Sequence, residues 1–283
     1  MTLRIAVLGD VHYPYLPGGS EEQIAARDRF YADVFEQFFA ETADLYVCVG
    51  DVTHTGHPEE WAGIARILAQ YHDQPFRFVL GNHDTLLQSK SSVLSSMNQQ
   101  RHWVEQLEHL PLLFLDTTQE SRRDDWGGAV DREQLEWIRT RHAESAEPLF
   151  VFAHHPLYNT TAKSDEPMMY VQNSDDVEAA MASLSKQVFY FNGHNHVQSI
   201  VKHPRRSNWV CIQTASILSG LRYRVVEVTS MSMTVNTKVI DAEGMKETLT
   251  TLYQGIPDYW HNPDAVGEET DDAITVQRYD LKY

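Results

Sequence analysis

Five short apolar runs in this chain each stop at residues able to ligate a metal ion. Arg4-Ile5-Ala6-Val7-Leu8 runs into Gly9-Asp10-Val11-His12, and Leu45 to Val49 runs into Gly50-Asp51. Pro75 to Leu80 ends in Gly81-Asn82-His83-Asp84, and Leu149 to Ala153 in His154-His155-Pro156. Val188 to Phe191 ends in Asn192-Gly193-His194-Asn195-His196. Runs of this length, rich in β-branched residues and flanked by helical periodicity, predict buried strands rather than helices. Buried parallel strands read as continuously apolar because helices cover both faces of the sheet. Their carboxyl ends form the rim where open α/β sheets bind ligands. A single Gly-Asp end is compatible with a turn and a helix cap. Five ends bearing carboxylate, amide and imidazole groups require a common site.

The intervening segments supply the covering helices. Phe30, Val34, Phe35, Phe38 and Phe39 predict a helix over 29–42. Pro58-Glu59-Glu60 opens another, with Trp61, Ile64, Ile67 and Leu68 on its buried side. A helix is expected around Trp103 to Leu110, then a strand over Leu112 to Asp116. Asp131 fits an N-cap with Gln134 at the capping-box position, and Ser174 is expected to cap a helix reaching Leu184. Trp209 to Gln213, Arg222 to Val228 and Met233 to Ile240 read as strands with no helix between them, which predicts an antiparallel second sheet. The expected organisation is one domain over 1–240 and a C-terminal extension over 241–283. The extension carries Trp260, the acidic run 268–272 and a weakly alternating end from Ile274 to Tyr279. That end is expected to pack on a sheet edge of its own or a neighbouring chain, with a homodimer as one reason for it. The aperiodic stretch Leu157 to Asn173, with Met168, Met169 and Tyr170, is expected to cap the site together with the Tyr13 to Gly19 loop.

The net charge of −17 argues against a nonspecific nucleic-acid or anionic-membrane binder. It leaves room for a phosphorylated small substrate if metal ions provide the local positive charge. No run approaches the ~20 apolar residues of a membrane span. Cys48 and Cys211 lie apart inside apolar runs, as free buried thiols of a reducing compartment would. With Met1 to Ile5 leading directly into strand pattern, the expectation is a cytoplasmic protein.

Carboxylate, amide oxygen and imidazole without thiolate suit Mn, Fe or Zn. The donors suffice for two metals sharing one carboxylate. Asp51 is the natural bridge, because its strand should lie between those carrying Asp10 and Asn82. Two ions ~3.5–4 Å apart can hold a hydroxide between them and clamp a phosphoryl group for in-line displacement. His83, surplus to the coordination count, fits a general acid for the leaving oxygen, with Asp84 expected to orient it. His54 and His57 read as loop residues rather than ligands.

The ordered series of D-x-H, G-D, G-N-H-D, H and G-H-x-H, over about Arg4 to Ile240, resembles the calcineurin-like metallophosphoesterase superfamily. The resemblance implies an α/β (α+β) fold: a four-layer αββα sandwich of two mixed sheets, with the metals at strand carboxyl ends. It also implies one metal on Asp10, His12, Asp51 and His196 and a second on Asp51, Asn82, His154 and His194, with His83 at the leaving group. His155 then stands behind the ligands or faces substrate. Gly50-Asp51 lacks the following Tyr of purple acid phosphatases and the Asp-Arg-Gly continuation of protein Ser/Thr phosphatases. His154-His155-Pro156 looks more like the cyclic-nucleotide and glycerophosphodiester phosphodiesterase branch. The expected function is therefore a binuclear phosphodiesterase. A phosphomonoesterase or nucleotidase of the same fold is the alternative, and a catalytically silent binding module is a third.

Overall fold

The computed structural model describes residues 2–108, 110–120, 122–141, 148–182, 187–241 and 243–277. Two six-stranded sheets face each other. The first contains β1 (Leu3–Leu8), β2 (Leu45–Cys48) and β3 (Phe76–Phe78). The second contains β4 (Trp103–Leu107), β5 (Leu110–Phe114), β6 (Leu149–Phe152), β7 (Val188–Asn192), β8 (Ser199–Lys202) and β9 (Trp209–Gln213). The remaining strands, β10 (Arg222–Val228), β11 (Ser232–Val239) and β12 (Ala273–Gln277), return to the first sheet. Its order is β12-β11-β10-β1-β2-β3, and that of the second is β4-β5-β6-β7-β9-β8. β2 thus lies between β1 and β3, parallel to both, as the bridging position of Asp51 requires.

The period-2 alternation of each strand builds the layers. On β1, Ile5 and Val7 enter the core between the sheets, where they meet Phe114, Phe150, Phe152, Phe189 and Phe191. Ala6 and Leu8 point the other way, toward α1 (Glu21–Ala40), α2 (Pro58–Leu68) and the buried Val93 of α3 (Lys90–Ser96). On the far side, Val151, Tyr190 and Trp209 pack on α4 (Arg132–Arg141) and α5 (Ser174–Met181). The result is the expected α/β sandwich of two mixed sheets flanked by helices. The four-residue α6 (Ile217–Gly220) precedes β10, and α7 (Met245–Gly255) lies against α1.

Several expectations need correction. The predicted helix over Trp103 to Leu110 is the edge strand β4, with Trp103 stacked 4.2 Å from Phe114 on β5. β10 and β11 do form a hairpin, but they extend the first sheet through antiparallel pairing with β1, while β9 joins the second sheet parallel to β7. A short helix does interrupt that series. α1 begins at Glu21, eight residues before the predicted start, on a Ser20–Gln23 capping box. Asn173 rather than Ser174 is the N-cap of α5, and the predicted reach to Leu184 lies outside the described residues. Asp131 does accept from Gln134 N–H, but the Gln134 side chain bonds to the Asp116 backbone instead of closing a capping box. In the C-terminal segment, β12 pairs antiparallel with β11, and the aromatic residues Tyr279 and Tyr283 lie outside the described residues.

One ion-pair cluster lies on the outer face of the second sheet. Buried Glu178 of α5 receives Arg205 Nη2 at 2.6 Å and Arg206 Nε at 3.0 Å, with His203 Nε2 at 3.2 Å. Burial disfavours its charge, but these three partners outweigh burial and hold its pKa at about 2. A depressed carboxyl pKa stabilises the fold fully above the unfolded value of ~4.5 and loses that contribution as pH falls toward about 2. Glu178→Gln should cost about 2–3 kcal/mol at neutral pH. The gap in melting temperature between wild type and variant should narrow steadily from pH 5 downward; a pH-independent gap would show that packing alone is at stake.

Candidate metal centre

The five motif ends converge where β1, β2, β3, β6 and β7 present their carboxyl termini. The local backbone is unusual there. His12, Asp51, His194 and His196 all have positive φ, between 48° and 71°. Such conformations persist in residues with side chains only where the surroundings enforce them, and they cluster at functional sites. The motif glycines allow close approach more than turning. A Cβ on Gly193 would lie 2.0 Å from Asp10 Oδ1, one on Gly81 would lie 2.1 Å from Asp51 Oδ1, and one on Gly50 would lie 2.5 Å from His154 Nδ1.

Asp10, His12, Asp51 and His196 each bring a ligand atom within 4.8 Å of the others, all buried. Beside them lie His154, His155 and His194, also within 4.8 Å of one another. Backbone carbonyls fix the outer nitrogens of four rings. His154 Nδ1 donates to Val49 O at 2.9 Å and His194 Nε2 to Met168 O at 3.0 Å. His196 Nδ1 donates to Trp260 O at 2.9 Å, and His83 Nδ1 to His54 O at 2.6 Å. A carbonyl can only accept, so the facing nitrogen carries the hydrogen and the other keeps its lone pair in the neutral ring.

The inner nitrogens crowd against further nitrogens and oxygens. His154 Nε2 lies 3.2 Å from His194 Nδ1, 3.0 Å from Asn82 Oδ1 and 3.3 Å from Asp51 Oδ2. His196 Nε2 lies 2.9 Å from His12 Nε2 and 3.2 Å from Asp10 Oδ2. So many nitrogen and oxygen atoms packed this closely need positive charge among them, whether protons or a metal, and ligand atoms arranged this way suit a divalent cation. The electrostatics agree. Burial opposes charge on His154, yet Asp51 and Asp10 hold its pKa up at about 9, so positive charge is favoured at this spot. Burial opposes the Asp51 charge too, but His154, His83 and His12 keep its carboxyl well below the usual range. Burial pushes His194 down to about 3 and His12 well below its ordinary value, which leaves their lone pairs available.

The contacts change one expected role and decide between two alternatives for another. The Asp84 carboxylate does not reach His83. It accepts from the N–H groups of Val52, Thr53 and Gly81 and from the Thr53 hydroxyl, tying the β2 and β3 loops together. Its pKa is raised to about 7 by burial and by the nearby Asp51. The group that orients His83 is the His54 carbonyl. His155 is fully buried with both nitrogens engaged, Nδ1 by the Thr117 hydroxyl and Nε2 by the Trp126 carbonyl. It stands behind the cluster and faces no substrate.

A cleft of about 490 Å³ opens onto the cluster. His12, Asp51, Asn82, His83, His194 and His196 form its floor, and Met169 from the expected cap lines it. The Tyr13 to Gly19 loop does not: Tyr13 and Leu16 are buried in the α-helical core instead. Its place is taken by Arg122, Arg123 and Trp126 on one segment and Asp258, Tyr259 and Trp260 on another. The latter is tied in closely. Asp258 Oδ1 lies 3.1 Å from His54 Nε2, the Tyr259 ring stacks on His196 at 5.3 Å, and Asn262 Nδ2 donates to Asn195 O. The sequence signal for this wall was the aromatic pair beside Pro257, masked by the acids that follow. His57 caps α2, its side chain accepting from Glu59 N–H, whereas His54 brings a ring nitrogen within 4.8 Å of those of His12 and His83.

Residues 3–198 match the family model described as calcineurin-like phosphoesterase. The chain belongs to the calcineurin-like phosphoesterase family. It is 27% identical over 166 residues to a "Probable cyclic nucleotide phosphodiesterase" of Synechococcus sp., an alignment that takes in 55% of this chain and 59% of the relative. Among solved structures it resembles a dimetal phosphatase from Danio rerio, at TM-score 0.65 and 14% identity over 84% of this chain and 96% of the other. It also resembles a purple acid phosphatase from yellow lupin, at TM-score 0.57 and 10% identity over 99% of this chain and 55% of the other. At these identities the two structures speak for the fold alone. The wall formed by Asp258 to Trp260 lies beyond the matched span.

Proposed function

We propose that this chain hydrolyses small phosphodiesters, such as a cyclic nucleotide or a glycerophosphodiester, at a two-cation centre. The observation that carries this reading is the convergence of imidazole nitrogens, carboxylates and the Asn82 amide oxygen on one buried spot. Asp10, His12, Asp51 and His196 would hold one cation, and Asp51, Asn82, His154 and His194 the other. Bound there, Mn, Fe or Zn ions would acidify a water and neutralise phosphoryl charge. The protein's own part is to orient and to move a proton. His83 lines the cleft with Nδ1–H committed to the His54 carbonyl, so its Nε2 is the atom that carries a proton to the departing oxygen. Its backbone N–H donates to Asp51 Oδ1 at 2.8 Å, which fixes the distance between acid and shared carboxylate.

The Synechococcus relative and the His154-His155-Pro156 flavour support diesters over monoesters. We take 1–240 as the hydrolase domain and 241–283 as an extension that completes its cleft, on the strength of Asp258 to Trp260. The purified chain, supplied with Mn²⁺, should cleave bis(p-nitrophenyl) phosphate with kcat/KM at least about tenfold above that for p-nitrophenyl phosphate, a difference of about 1.4 kcal/mol in transition-state stabilisation. A preference for the monoester would favour the nucleotidase alternative. No hydrolysis of either would favour a silent binding module.

A further inference from the structure

The cleft carries two tryptophans that the chemistry at its floor does not need. Trp126 is 39% exposed and Trp260 is 42% exposed, and both line the same opening. Their main chains are nevertheless locked to the site. The Trp126 carbonyl accepts from His155 Nε2 at 2.9 Å, and the Trp260 carbonyl accepts from His196 Nδ1 at 2.9 Å. The backbone that carries each indole is therefore tied to the imidazoles, the Trp260 ring lies 5.3 Å from that of His196, and both rings stay open to a ligand. An exposed aromatic face held at a fixed place on the cleft wall is what a stacking partner requires.

The charge around them is equally specific. In a chain of net charge −17, Arg122 and Arg123 lie on the same wall as Trp126, both exposed, and Lys163 Nζ stands 6.0 Å over the Trp260 ring. Indole faces beside guanidinium and ammonium groups select a ligand with a planar ring system and oxyanions on one molecule. A glycerol-based diester offers the second and not the first.

We infer that Trp126 and Trp260 form a nucleobase subsite, and that the substrate is a nucleoside phosphodiester whose base lies on these indoles while its phosphate reaches the floor. The assignment rests on the phosphodiesterase reading and narrows it to one substrate class.

Binding separates the two. With the Mn²⁺-supplied full chain, equilibrium titration of adenosine 5′-monophosphate and of glycerol 3-phosphate compares a ligand with a base against one without. Wild type should bind the nucleotide at least about tenfold more tightly. Stacking on one aromatic residue corresponds to roughly 5- to 150-fold in affinity, so Trp126→Ala and Trp260→Ala should each cut the ratio of the two affinities by that factor. Trp260→Phe should restore most of it, which a general loss of structure would not allow. Equal affinities for the two ligands in wild type, or equal losses for both in the variants, would overturn the subsite. If bis(p-nitrophenyl) phosphate is still cleaved, that failure leaves the phosphodiesterase reading standing. If it is not cleaved while the affinity ratio holds, the hydrolytic reading alone has failed.

Discussion

His83→Ala should lose between about 10²- and 10⁴-fold in turnover of a diester with a poor leaving group while keeping its metal content. The basis is geometric. His83 faces the cleft from a short helical turn over His83–Thr85, and its ring lies beside His12 and His54, outside the two residue sets proposed to hold the cations. The contact it makes to Asp51 runs through its backbone N–H, which alanine retains. The variant therefore removes the proton donor and spares the shared carboxylate. The loss should shrink sharply for p-nitrophenyl esters, whose leaving group departs without protonation. Equal losses with good and poor leaving groups would show that His83 shapes the site instead of donating to it.

Asp51→Asn should have the larger effect on the metals themselves. Asp51 Oδ2 lies 3.3 Å from His154 Nε2 and 3.8 Å from His12 Nε2, so this one carboxylate faces both ligand clusters. The side chain is buried, and no solvent charge can replace it. An amide of the same shape removes the shared negative charge and weakens both sites together. Affinity should fall by more than about 100-fold, beyond the range seen for partners that merely orient ligands. Loss of one equivalent with the other retained at full strength would place Asp51 in a single site.

What the sequence made legible was whatever local chemistry encodes. Strand ends in Gly-Asp, Gly-Asn-His and Gly-His-x-His name both the element and the atoms it presents, so the floor of the cleft was readable. Pairing partners are not local information. Arg222 to Val228 reads as a strand in any sheet, and only its register against Leu3 to Leu8 assigns it to the first. Trp103 to Leu107 alternates between half-buried and exposed positions, a pattern too short to separate an edge strand from an amphipathic helix. Asp84 follows His83 in sequence, which suggested a partnership. The turn sends its carboxylate to backbone N–H groups across the loop instead. The Ser20-Glu21-Glu22-Gln23 capping box was visible and marks the true start of α1. The wall from Asp258 to Asn262 was hidden because its ties to His54, His196 and Asn195 span 64 to 204 residues of chain.

The central claim is a site built for two cations that act together. It is tested most directly by stripping the full chain with chelator and titrating Mn²⁺ back while following bis(p-nitrophenyl) phosphate hydrolysis. The geometry predicts two equivalents bound per chain, with hydrolysis appearing as the second site fills. Saturation at one equivalent with full activity, or hydrolysis that persists in excess chelator, would contradict it.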